Sequence, residues 1–134
     1  MFGFARDDRV AELLRQATAF KDQKDWDAAL TALAEAKRLM LVSPVSYPAG
    51  TWCKYPLYFQ QAGRFEEAIS EFQFLLDDLE RRARRDAQLD DPNVGPESQK
   101  LEYYKGIIRN DGCIIKEKMA LARSRQEKLK ATKK

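Results

Sequence analysis

Residues 58–72 read YFQQAGRFEEAISEF, and residues 19–33 read AFKDQKDWDAALTAL. Laid over one another, Phe59 meets Phe20, Phe65 meets Trp26, Ala68 meets Ala29, Ile69 meets Leu30 and Phe72 meets Leu33, at a constant offset of 39 positions. A self-match at one fixed offset is the mark of an internal repeat, and this period falls in the range of helical-hairpin solenoids.

Each copy carries two apolar stripes separated by a polar turn. In the first, Val10, Leu13, Leu14, Ala17 and Phe20 line one helical face, spaced by three and four residues. The run Lys21–Asp25 interrupts, and Trp26, Ala29, Leu30, Leu33, Ala36, Leu39 and Met40 form a second face. In the second copy Trp52, Tyr55, Phe59 and Ala62 precede the turn at Gly63-Arg64, and Phe65, Ala68, Ile69, Phe72, Leu75, Leu76 and Leu79 follow it. Ala29 and Ala68 stand where the two helices of a hairpin cross closely, so no large side chain fits there.

These residues resemble the tetratricopeptide repeat family: Leu13, Ala17, Phe20, Trp26, Ala29, Leu33 and Ala36 in one copy, Trp52, Phe59, Gly63, Phe65, Ala68, Phe72 and Leu75 in the other, over about residues 9–82. Two departures stand out. The period exceeds the family's usual ~34 residues, the extra length falling in LVSPVSYPAG, residues 41–50, and Pro56 lies inside the first helix of the second copy, which it should start or kink because it lacks a backbone donor. The resemblance implies an all-α fold of about five helices. Repeat 1 covers about 9–42 and repeat 2 about 51–88, with an inter-repeat loop at 43–50 and a further loop at 89–97. A long C-terminal capping helix follows over about 98–130, with a stripe of Leu101, Tyr104, Ile108, Ile115, Met119 and Ala122 interrupted at Asp111-Gly112. All 134 residues are expected to form one domain.

Composition narrows the function. The chain has two cysteines, Cys53 and Cys113, and no histidine, which excludes a structural zinc site within one chain and removes the commonest general base. No glycine-rich phosphate loop occurs, and the adjacent carboxylates Glu66-Glu67 and Asp77-Asp78 diverge by about 100° on a helix. The expectation is a protein that is not an enzyme and has no cofactor. No apolar run approaches the ~20 residues of a membrane span, and no leader is evident, so the reading is a cytoplasmic protein without a membrane partner.

The resemblance implies non-catalytic protein–protein interaction, as an adaptor, a subunit or an inhibitor, through the concave faces of the first helices. Carried over, those positions are Leu14, Thr18 and Lys21, then Cys53, Lys54, Leu57, Gln60 and Gln61. The family's carboxylate clamp is not reproduced, since Thr18 and Leu57 stand where Asn is expected, and the last helix filling the groove is the competing reading. Two hairpins fall short of the about three repeats that stabilise a solenoid, so self-association or a permanent partner is expected.

Charge supplies the alternative. Residues 100–134 hold 11 of the 24 Lys and Arg residues but 4 of the 21 Asp and Glu. With ERRARR at 80–85, this gives a basic set of Arg81, Arg82, Arg84, Arg85, Lys128 and Lys130. The alternative is a nucleic-acid-associated helical protein that grips phosphates with this set. It has no aromatic residue in the tail to stack on bases, and a helix C-terminus favours such cations by its dipole alone.

Overall fold

The computed structural model describes residues 4–43, 45–90 and 98–132, with side chains from 8 to 85 (residue 44 excepted) and from 105 to 132. The described residues are helical with no strand: α1 (Phe4–Asp22), α2 (Trp26–Leu41), α3 (Ala49–Trp52), α4 (Lys54–Gln61), α5 (Phe65–Asp77), α6 (Leu79–Asp90) and α7 (Ser98–Thr132). α1 pairs with α2 and α4 with α5; α4 also lies against α2, and α7 lies against α5, α6 and α3.

The hairpin turns follow from backbone chemistry. α1 ends with Lys24 in the left-handed region, φ 58°. There the Asp25 N–H donates to the Phe20 carbonyl at 2.9 Å and the Lys24 N–H to the Lys21 carbonyl at 2.8 Å. This pair of bonds satisfies carbonyls that the helix end leaves orphaned. α4 ends the same way: Gly63 has φ 81°, Arg64 N–H donates to Phe59 O at 2.8 Å and Gly63 N–H to Gln60 O at 3.0 Å. Asp25 then caps α2, its carboxylate accepting from the Ala28 N–H at 3.2 Å.

The apolar stripes meet inside. Leu13 and Ala17 of α1, Ala29, Leu30, Leu33 and Ala36 of α2, Tyr58 and Phe59 of α4 and Ala68 of α5 form one buried cluster. Ala17, Ala29 and Ala68 are wholly enclosed, and for Ala29 and Ala68 this fits the close crossing expected of them. A second cluster joins Val10, Met40, Trp52, Cys53, Phe72 and Leu75 to Ile115, Met119 and Ala122 of α7. Trp26 meets Tyr58 edge to face at 5.9 Å between centroids, linking the hairpins.

Several boundaries differ from the expectation. The second hairpin's first helix is divided at Cys53 into α3 and α4. Pro56, in the first turn of α4, has no N–H for the Trp52 carbonyl four positions back, and the division falls in that turn. Ala49 and Gly50 already belong to α3 and are not loop. The last stretch of the second hairpin divides at Asp78, yet its backbone bonding continues, with Asp78 N–H to Phe74 O at 2.9 Å and Arg82 N–H to Asp78 O at 3.0 Å. Leu89 and Asp90 lie in α6, and the rest of the expected 89–97 loop lies outside the described residues.

α7 is one continuous helix, and the apolar stripe expected to be interrupted at Asp111-Gly112 carries those two residues on its packed side. Those two residues are the ones that fit it to α6. Gly112 is buried, with Leu79 3.5 Å from where a Cβ would stand, and Asp111 pairs with Arg82 at 3.0 Å. The residues α7 turns inward, Ile108, Gly112, Ile115, Met119 and Ala122, alternate by four and three, the spacing of a coiled-coil seam. α7 runs antiparallel to α5 and α6, bringing Gln126, Leu129 and Lys130 beside the second turn at Gly63–Glu67.

Candidate interaction surface

The positions expected to line a groove divide in two. Cys53 is fully buried and Gln60 is 6% exposed, so neither offers a side chain to a ligand in this structure. Cys53 sits among Val10, Trp52, Ile115 and Met119, with Leu14 and Leu57 packed, half-buried, against the same cluster. Burial pushes its thiol up to about 11, partly offset by the nearby cations Lys118 and Arg82. α7 thus covers this end of the expected groove.

The remaining positions keep some accessibility. Thr18 is half-buried and its hydroxyl donates to the Leu14 carbonyl at 3.1 Å, which ties up its donor. Lys21 is half-buried with its ammonium 5.5 Å from the Tyr58 ring centroid, a cation–π approach that joins α1 to α4. Lys54 is half-buried and Gln61 exposed. The second turn and the end of α7 form an open cleft of about 330 Å³, lined by Arg64, Glu66, Glu67, Gln126, Leu129 and Lys130 among others. Arg64 donates to Glu67 at 2.7 and 2.6 Å, a bond that holds the Glu67 carboxyl below its ordinary range.

The arginines of ERRARR do not form one open cationic patch. Arg81 pairs with Asp78 at 2.6 Å and Arg84 with Glu80 at 2.9 Å, both at the surface. Arg82, 1% exposed, pairs with Asp111 and lies 5.5 Å over the Trp52 ring. Arg85 donates to the Met40 and Leu41 carbonyls at 3.2 and 2.8 Å, satisfying the C-terminal end of α2 from a different helix. Sequence counts positive charge; the fold assigns each of these four an internal acceptor. Lys128 and Lys130 are exposed.

The reading from sequence missed the Arg82–Asp111–Trp52 contact, and also Lys37. The Lys37 ammonium lies 2.5 Å from Glu71 and 3.9 Å from the Phe74 ring centroid, pinning α2 to α5. The one signal available was the Asp-Gly pair in the middle of an apolar stripe. Among the described residues no group of three or more acid, thiol or imidazole side chains could hold a metal, and no helix is long and apolar enough to cross a membrane.

Comparisons of the chain with protein-family models, curated proteins and solved structures return no match.

Proposed function

We propose that this chain is a non-catalytic protein–protein interaction module made of two tetratricopeptide-like hairpins closed by a C-terminal helix, acting in the cytoplasm as an adaptor, subunit or inhibitor of another protein. The observation that carries the reading is the recurrence of one turn geometry: the same two hydrogen bonds and the same left-handed residue 39 positions apart. A sequence repeat that is also a backbone repeat is what a solenoid needs in order to stack. The face offered to a partner is the set of accessible positions on the first helices, Thr18, Lys21, Lys54 and Gln61, together with the cleft at Gly63. Two hairpins and one helix form a short solenoid, so self-association or a permanent partner belongs to the same reading.

The experiment is retrieval of partners by the tagged protein from nuclease-treated lysate, with Lys21→Glu and Gln61→Glu as surface variants. The reading predicts a protein recovered by the wild type and lost by both variants, whose helicity by circular dichroism is unchanged.

A second reading has one observation behind it. Arg109, Lys116, Arg123 and Lys130 are exposed and stand seven residues apart on α7, a straight row of cations about 10 Å apart. It predicts nucleic-acid binding that weakens steeply with salt and is lost when Lys116 and Arg123 become Ala.

A further inference from the structure

Three of the five large apolar side chains left exposed among the described residues stand on one line of α7: Ile114 at 39%, Leu121 at 53% and Leu129 at 41%. Lys118 and Arg125 fill the intervals, and steps of four and three keep all five residues on a single helical face. Ile115, Met119 and Ala122 pack into the hairpins from the adjoining face, so the line borders the core without belonging to it. Arg81 and Arg84 each find a surface carboxylate. Lys118 and Arg125 have no acidic residue three or four positions away, and no ion pair reaches either among the described residues.

The line runs along the hairpin surface. Near its start Lys118 is close enough to the Cys53 thiol, where α4 begins, to favour the ionised form. At its far end Leu129 and Gly63, just past α4, line the same open cleft. Eleven positions separate Lys118 from Leu129 and ten separate Cys53 from Gly63, about 16 and 15 Å at the helical rise. Leu121 and Arg125 therefore pass alongside Leu57 and Gln61. Lys54, on the same stretch of α4, is a third cation with no acid three or four positions away.

We propose that this line of α7, together with the accessible positions of α4, holds an acidic amphipathic helix of a partner protein. The proposal rests on the interaction-module reading and names the chemistry of the segment recognised. Ile114 and Leu121, Lys118 and Arg125, and Lys54 and Gln61 are pairs seven positions apart, about 10 Å. A segment that meets all three repeats is a helix lying along α7, with an aliphatic side chain every seventh residue and carboxylates beside it. Of the acids bordering the line, Asp111 is engaged by Arg82 and Glu117 is exposed. Charge rules out a second copy of α7 as the occupant: residues 105–130 hold eight Lys and Arg against three Asp and Glu, so two such helices repel. The aliphatic residues between the cations favour a protein segment over a phosphate backbone, which the exposed row of Arg109, Lys116, Arg123 and Lys130 suits better.

The probe is a fluorescein-labelled synthetic helix of about three heptads, with Leu at every seventh position, Glu on both sides of it and Ala elsewhere. It is titrated into the full chain beside a second peptide that has Lys in place of each Glu. The expected result is binding of the acidic peptide and none of the basic one. Leu121→Gln with Arg125→Glu should weaken that binding at least about tenfold. Both positions are exposed, so circular dichroism of this variant should match the wild type. Lys116→Ala with Arg123→Ala, on the other flank of α7, should change the affinity by less than about twofold. No binding of the acidic peptide overturns the proposal, as does equal binding of the two peptides or an equal loss in the Lys116 and Arg123 variant. Tighter binding of duplex DNA or of phosphatidylserine vesicles through Leu121 and Arg125 overturns it as well. The hairpin reading is judged separately, by partner retrieval with the Lys21 and Gln61 variants, so the two failures are distinct.

Discussion

Lys24 and Gly63 hold the same place in two turns 39 positions apart, both left-handed, at φ 58° and 81°. A side chain in that region is crowded against its own backbone, at a cost of about 1–2 kcal/mol for an ordinary residue, and glycine is free of it. Lys24→Gly should therefore raise stability by about 0.5–1 kcal/mol once glycine's extra unfolded-state entropy is deducted. Gly63→Ala should lower it by about 1 kcal/mol through backbone strain alone, since nothing lies within 4 Å of the added Cβ. Urea denaturation of the two variants, with unchanged slopes, measures both.

The Arg82–Asp111 pair gives a test of how α7 is held. Asp111→Ala removes the α7 carboxylate that faces buried Arg82 and should cost about 3 kcal/mol or more. Arg82→Met in the same background should recover most of the loss, because no buried cation then faces the missing carboxylate. A double-mutant cycle in urea reads the coupling. Near-additive losses would mean that the contact at 3.0 Å contributes nothing to docking.

The four arginines of residues 81–85 should divide by partner instead of by charge. Arg85→Ala removes donors from two carbonyls at the end of α2 and should cost about 1.5–3 kcal/mol, the range of hydrogen bonds to charged groups. Arg84→Ala breaks the surface pair with Glu80 and should change stability by less than about 1 kcal/mol. Thermal denaturation of the two single variants separates these outcomes.

This division also shows what the sequence could and could not convey. Stripes legible at the level of residue type are where the core forms: Leu13 and Ala17, Ala29 and Leu33, Ala68 and Phe72, Ile115, Met119 and Ala122 are all buried. Hairpin turns were equally legible, because Gly63 and the polar run around Lys24 are local signals. Contacts between distant segments were not. Arg82 and Asp111 look like any two surface charges until α6 and α7 lie side by side, and Gly112, a helix breaker by local propensity, sits inside a helix because it lets α7 approach Leu79. Cys53 looked like a groove position for the same reason: its burial depends on α7, 62 positions further on at Ile115.

The Cys53 thiol makes stability depend on alkali. Burial raises its folded pKa to about 11 from an ordinary 9.0, so the folded state favours the protonated thiol. Its contribution is fully present below about pH 9 and is lost as pH climbs to about 11, at up to about 1.4 kcal/mol per unit. Other groups titrate in this window, so the measurement is the difference between wild type and Cys53→Ala. The wild type's advantage over the variant should shrink from pH 9 to 11, and a constant difference would place the thiol in contact with water.

The proposed binding of another protein through the hairpin surface can be tested on the intact chain. The most direct measurement is partner retrieval from lysate, with and without nuclease, by wild type, by Lys21→Glu with Gln61→Glu, and by Lys116→Ala with Arg123→Ala, with bound proteins identified by mass spectrometry. The expected result is one dominant protein, retained by the α7 variant and lost by the hairpin variant. Material recovered only without nuclease and lost with the α7 cations would contradict it, and would make the chain a nucleic-acid-associated helix.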